Sequence, residues 1–150
     1  MSSGVLAAVQ PQQTTSEGSL LFSRRFPPIT RHLLALYCGA SGDSNPIHVD
    51  LDSAREAGFD DVFAHGMLVM AFLGVAIEEA GLREALGHFS TRFVAITQLG
   101  AEIICEGRLV GQDDSMITIE LTAADSLGDV KLKGIARVQR TIWGKQIGQA

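Results

Sequence analysis

An α+β fold, with a strongly curved antiparallel sheet closed around one central helix, is what three features of the sequence predict. The run "GMLVMAFLGVAI" (66–77) is apolar on nearly all sides of a helix, so it must be surrounded rather than packed on a single face. Apolar and polar residues alternate at the strand period through residues 101–139. Short turn-rich links, "GQDDS" (111–115) and "SLGD" (126–129), join those segments in the manner of hairpins.

In chain order, residues 1–19 have neither a basic start nor a long apolar core. They read as a flexible tail rather than a secretory signal. The folded domain then runs from 20 to 150, a single domain for a chain of 150 residues. "LLFSRRF" (20–26) is strand-like and is stopped by Pro27 and Pro28, which donate no backbone hydrogen bond. Thr30 is placed to cap a helix in which Leu33, Leu34 and Tyr37 recur at helical spacing until Gly39 and Gly42. "DLDSAREAGF" (50–59) is a further helical turn or two, started by Asp50 and Asp52 as capping residues and closed by Gly58. "DDVFAHG" leads into the apolar helix, which extends from Gly66 to about Ala80, and "RFVAI" (92–96) returns as a strand. Ala101, Ile103, Cys105 and Leu109 share one face opposite Glu102, Glu106 and Arg108. Ile117, Ile119, Leu121 and Ala123 face away from Thr118, Glu120 and Thr122, and Leu132, Gly134, Ala136 and Val138 face away from Lys131, Lys133, Arg137 and Gln139. One-sided sheets of this kind are antiparallel.

Composition narrows the function classes. A net charge of -5 offers nucleic acid no broad attraction, since affinity for phosphate backbones comes from clustered Lys and Arg. The longest apolar run is too short to span a bilayer. Cys38 and Cys105 have no CxxC or other metal spacing, so reduced core residues are expected rather than a disulfide, and the cytoplasm is the expected compartment.

The chemistry concentrates in "SGDSNPIHVD" (41–50). Asp43 and His48 are five residues apart with Pro46 between them, so a turn and not a helix must bring them together. Asn45 before Pro46 favours turn geometry, and its amide can fix the loop through backbone groups or orient a water. A carboxylate and an imidazole facing one water are acid/base equipment. Gly66, opening the apolar helix, puts an unobstructed N–H where free donors and the helix dipole favour developing negative charge. A dyad beside such a donor suits addition or removal of water next to a carbonyl.

"YCGASGDSNPIHVDLDSA" (37–54) followed by "FAHGMLVMA" (63–71) resembles the MaoC-like, or hydratase 2, family of hot-dog-fold (R)-specific enoyl-thioester hydratases and dehydratases. The weaker likeness covers residues 20–142. The resemblance implies that Asp43 and His48 activate water, that Asn45 fixes the loop, and that the Gly66 N–H binds the thioester carbonyl. It implies hydration of a trans-2-enoyl thioester to an (R)-3-hydroxyacyl thioester, or the reverse. The implied partner is an acyl-CoA or acyl-carrier-protein substrate, with neither metal nor organic cofactor, and the assembly a homodimer. A non-catalytic acyl-thioester-binding subunit of a heterodimer and a hot-dog thioesterase are the alternatives.

Two departures stand beside the resemblance. Thr97, Gln98 and "LGA" occupy positions where many relatives carry Pro and then Gly-Asp, and Gly74 replaces a small hydroxylated residue found in some. His65 reads as a packing or loop-anchoring residue, and His32 and His88 as exposed. Met67, Met70, Phe72 and Leu73 are core residues first, with Met67 the candidate for the acyl-binding wall. Lys131, Lys133 and Arg137 read as a solvated face, or alternatively as contacts for coenzyme A phosphates.

Overall fold

A computed structural model describes residues 16–147. The strands are β1 (Leu20–Arg25), β2 (Leu86–Phe93), β3 (Ile103–Gln112), β4 (Met116–Asp125) and β5 (Val130–Gln139). They form one antiparallel sheet in the order β1-β3-β4-β5-β2. The helices are α1 (Arg31–Ser41), α2 (Leu51–Glu56), α3 (Gly66–Glu79) and α4 (Arg140–Ile147). With α3 laid across β1, β3, β4 and β5, this is the hot-dog arrangement of α+β class.

The strand alternation fixes the register. Ile117, Ile119, Leu121 and Ala123 are buried and pair across the sheet with Val138, Ala136, Gly134 and Leu132, so one face of β4 and β5 meets α3. Cys105 lies in the same core, where burial pushes its thiol up to about 12. Phe26 stacks on Phe72 with ring centroids 4.3 Å apart, joining the end of β1 to the helix. Leu68, Val69, Leu73, Ala76 and Ile77 form the buried stripe of α3.

Several expectations need correction. Among the described residues the central helix is not surrounded: Met67, Ala71 and Val75 lie on an exposed face, because a sheet covers only one side of a helix. The strand read as 92–96 stops at Phe93, and residues 94–97 run irregularly with Val94 and Ala95 donating to the Lys131 carbonyl. Residues 16–19, assigned to the tail, turn at Gly18 (φ 88°) and bond to Leu109 of β3; the rest of that tail lies outside the described residues. Lys131 is not on a solvated face. It is buried, and its Nζ pairs with Asp125 at 3.0 Å. Desolvation pushes the Asp125 carboxyl up, but the Lys131 ammonium and the N–H groups of Asp129 and Leu127 outweigh it and hold the group below its ordinary range. Lys133 and Arg137 are exposed as expected. Cys38 is half-buried rather than a core residue, and both thiols are free. Helix α4 carries no strong sequence signal, and Ile142 and Trp143 pack it against the core.

No helix among the described residues is long and apolar enough to cross a membrane.

Candidate active site

Short polar side chains build the loop between α1 and α2 one backbone bond at a time. Thr30 caps the start of α1 by accepting from the Leu33 N–H, and Gly42 ends it with φ 75°, a left-handed conformation that glycine adopts without strain. Ser41 Oγ donates to the Tyr37 carbonyl at 2.7 Å and accepts from the Asp43 N–H at 3.2 Å. Asp43 Oδ1 then accepts from the Asn45 N–H, and Asn45 Oδ1 from the Ile47 N–H, each at 3.3 Å. These successive Asx turns are what "SGDSNP" encodes. Pro46–His48 makes a single 3₁₀ turn, after which Asp50 caps α2 by accepting from Asp52 and Ser53.

The turn buries His48 while leaving Asp43 exposed. His48 Nδ1 lies 2.8 Å from the Phe63 carbonyl oxygen, which can only accept, so Nδ1 carries the proton. The Nε2 lone pair of the neutral ring is left as a proton acceptor. Phe63 is itself held against the other wall by a bridge to Gln98, and the Ala64 N–H donates to the Thr97 carbonyl at 2.9 Å. The departure at Thr97 and Gln98 therefore preserves the connection between the two walls.

Helix α3 begins beside this loop. No side chain caps it, and Gly66 is its first residue, so the helix itself offers the Gly66 N–H no acceptor. A cavity of about 440 Å³ is lined by Asp43, His48, Gly66 and Met67, with Phe63, His65, Phe93, Val94, Ile96, Thr97 and Leu132 among the other walls. Of the residues singled out by sequence, Asp43, His48, Gly66 and Met67 thus share one space. Asn45 does not line it and acts on the loop. Gly74 does not line it either, and a Cβ there would meet nothing within 4 Å. Met67, expected in the core, is 52% exposed at the cavity.

The sequence implies a packing role for His65, and its position is more specific than that. Its ring lies 3.8 Å from that of His48, tilted by 30°, and 4.9 Å from Tyr37. Nε2–H donates to the Asp43 carbonyl at 3.2 Å. The side-chain ligand atoms of Asp43, His48 and His65 all lie within 4.8 Å of one another. Three such groups can hold a metal ion, and the two imidazoles among them lie face to face with a 30° tilt. Only the interleaving of "AHG" between two cavity walls, invisible in linear order, could have marked this residue.

Burial lowers the His65 pKa below its ordinary value, and the facing His48 lowers it further; the Asp43 carbonyl and carboxylate oppose this only in part. Tyr37, His48 and Asp43 are the titratable groups that face it. Below the unfolded value near 6.5 the unfolded chain binds the proton more readily, so the stabilisation is full above that pH and is lost as pH falls through the folded value. The thermal midpoint is expected to drop between pH 7 and pH 5, and to drop less in His65→Gln. Parallel midpoint curves for the two proteins would contradict this.

Residues 12–130 match the MaoC like domain family, well over half of the chain. The chain belongs to the MaoC-like domain family. Two solved structures share the fold: the R-hydratase PhaJ1 from Pseudomonas aeruginosa, unliganded (23% identity, TM-score 0.71, 82% of this chain and 80% of that one), and a MaoC-like dehydratase from Rhodospirillum rubrum (18% identity, TM-score 0.71, 91% and 96%). A curated relative, the mitochondrial 3-hydroxyacyl-[acyl-carrier-protein] dehydratase of Arabidopsis thaliana, is 54% identical over 33 residues, covering 22% of this chain and 20% of that protein's length. In this MaoC-like chain the cavity lies between the loop carrying Asp43 and His48 and the first residue of α3.

Proposed function

We propose that this MaoC-like protein adds water across a trans-2-enoyl thioester to give an (R)-3-hydroxyacyl thioester, or runs the reverse dehydration. One observation carries the reading: the Asp43 carboxylate and the His48 ring line the same cavity as the first N–H of α3. His48 Nε2 takes a proton from water while Asp43 orients that water through its second hydrogen. The water oxygen bonds to C3, the C2–C3 π electrons move toward the carbonyl, and the Gly66 N–H together with the positive end of α3 stabilises the resulting enolate. The pair then returns the proton to C2, so the net addition is H and OH. No metal or organic cofactor enters this scheme; coenzyme A or acyl carrier protein comes in as part of the substrate.

The presence of both Asp43 and His48 favours an enzyme over a non-catalytic acyl-binding subunit. The reading is tested by following crotonyl-CoA consumption in the ultraviolet and resolving the product on a chiral column. (R)-3-hydroxybutyryl-CoA is expected. The (S) product would overturn the proposal.

The edge strand β2 supports a homodimer. It ends at Phe93, and Phe93, Val94 and Ile96 are all exposed around the cavity mouth, where pairing β2 to a second copy would cover both the apolar groups and the open strand edge. Light scattering at micromolar concentration is expected to give twice the chain mass of 16.0 kDa. A monomer mass would count against the dimer.

A further inference from the structure

The loop bearing Asp43 is exposed from Ser41 to Pro46 and is shaped almost wholly by its own side chains. Self-contained turns give a loop its form but do not tie it to the body of the protein. His48 is tied by the Phe63 carbonyl. Among the described residues, the hydrogen bond recorded from Asp43 to anything beyond the loop and its preceding helix is the one from His65 Nε2–H to its carbonyl.

His65 is 1% exposed, and its Nδ1 is the buried side-chain polar atom found without a partner among the described residues. An orphaned acceptor of this kind is costly, and an apolar side chain at the same position would avoid it. What the imidazole supplies in return is a donor on one edge and a flat face on the other. The donor meets Asp43, and the face lies against His48, with Tyr37 of α1 packed behind it.

We propose that His65 is a positioning residue that sets the Asp43 carboxylate and the His48 ring relative to each other, holding the first through its backbone carbonyl and the second by ring contact. It exchanges no proton with substrate. The hydrogen bond to a carbonyl puts the His65 proton on Nε2, and a second cation at 3.8 Å from an imidazolium would oppose proton uptake by His48. A neutral ring in that place lets His48 take its proton from water.

This inference rests on the Asp43 and His48 reading above, and the test separates the two. His65→Leu removes donor, face and orphaned acceptor together, whereas His65→Gln keeps a donor for the Asp43 carbonyl. With crotonyl-CoA, kcat is expected to fall about 100-fold in the leucine variant and about 10-fold in the glutamine variant, the scale of a misplacement near 1 Å. KM and the thermal midpoint should stay close to those of the unsubstituted protein, and the pH at which each limb of the rate profile turns should not move. A leucine variant with undiminished kcat would overturn the proposal, as would a lost pH limb, which would make His65 a proton carrier. Nitrogen-15 NMR of the unsubstituted protein at pH 7 supplies an arm independent of mutant folding and of turnover. It is expected to find a neutral His65 ring protonated on Nε2; a cation, or a proton on Nδ1, defeats the inference even where the dyad is active.

Discussion

Asp43→Asn is expected to slow crotonyl-CoA hydration by at least about a hundredfold, the usual worth of a positioned acid or base. The substitution is chosen because it keeps shape and removes charge. Asparagine retains an Oδ1 to accept from the Asn45 N–H, now 3.3 Å away, so the Asx turn and the course of the loop to Pro46 should survive. Backbone bonds from Ser41 and His65 do not involve the carboxylate and also remain. What disappears is the negative group facing His48 across the cavity. Water would then be bound but neither oriented by a carboxylate nor deprotonated against an anionic partner. The loss is expected in kcat with little change in KM, since an interaction made chiefly in the transition state is being removed. Undiminished turnover in a folded variant would place the chemistry elsewhere.

The second large effect concerns the N–H of Gly66. Proline at the first position of a helix is compatible with the helix and deletes just that donor. The preceding residue must be extended, and His65 already is, at φ -56° and ψ 132°. One obstacle is Phe93, whose ring carbons Cδ1 and Cε1 would lie 2.8 Å from a Cβ at residue 66. That ring is 52% exposed and belongs to a flexible side chain, so Phe93→Ala clears the space. Gly66→Pro in the Phe93→Ala background is therefore expected to cost about 100- to 1000-fold in kcat relative to Phe93→Ala alone, as for other deleted oxyanion donors. A loss below threefold would mean that the thioester carbonyl binds some other group. The same contact explains why glycine stands at 66: its freedom from a side chain, rather than an unusual φ, lets Phe93 close over the helix start.

The fold and the loop of the candidate site were legible in the sequence because the relevant signals are local. The period-two pattern of Ile117, Ile119, Leu121 and Ala123 dictates which face of β4 is buried whatever lies opposite. The turn at Asp43, Asn45 and Pro46 follows from side chains that bond two residues along the chain. Long-range features were less legible. Lys131 reads as polar in any alternating strand, and only its pairing with Asp125 across the β4–β5 turn makes burial tolerable. The helix α3 is apolar enough to be enclosed, but among the described residues a single sheet leaves Met67 and Val75 exposed. His65 resembles a packing residue in linear order because its three contacts, Tyr37 of α1 and Asp43 and His48 of the following loop, all lie well before it in the chain.

A double-mutant cycle on Asp43 and His48 tests most directly whether the two side chains work on one water. Asp43→Asn, His48→Gln and the double variant are compared with the unsubstituted protein by kcat on crotonyl-CoA. If both groups serve a single proton transfer, the double variant should be slower than the worse single variant by no more than about tenfold, as groups acting as a unit are far from additive. Two losses that multiply would mean separate steps and contradict a shared water.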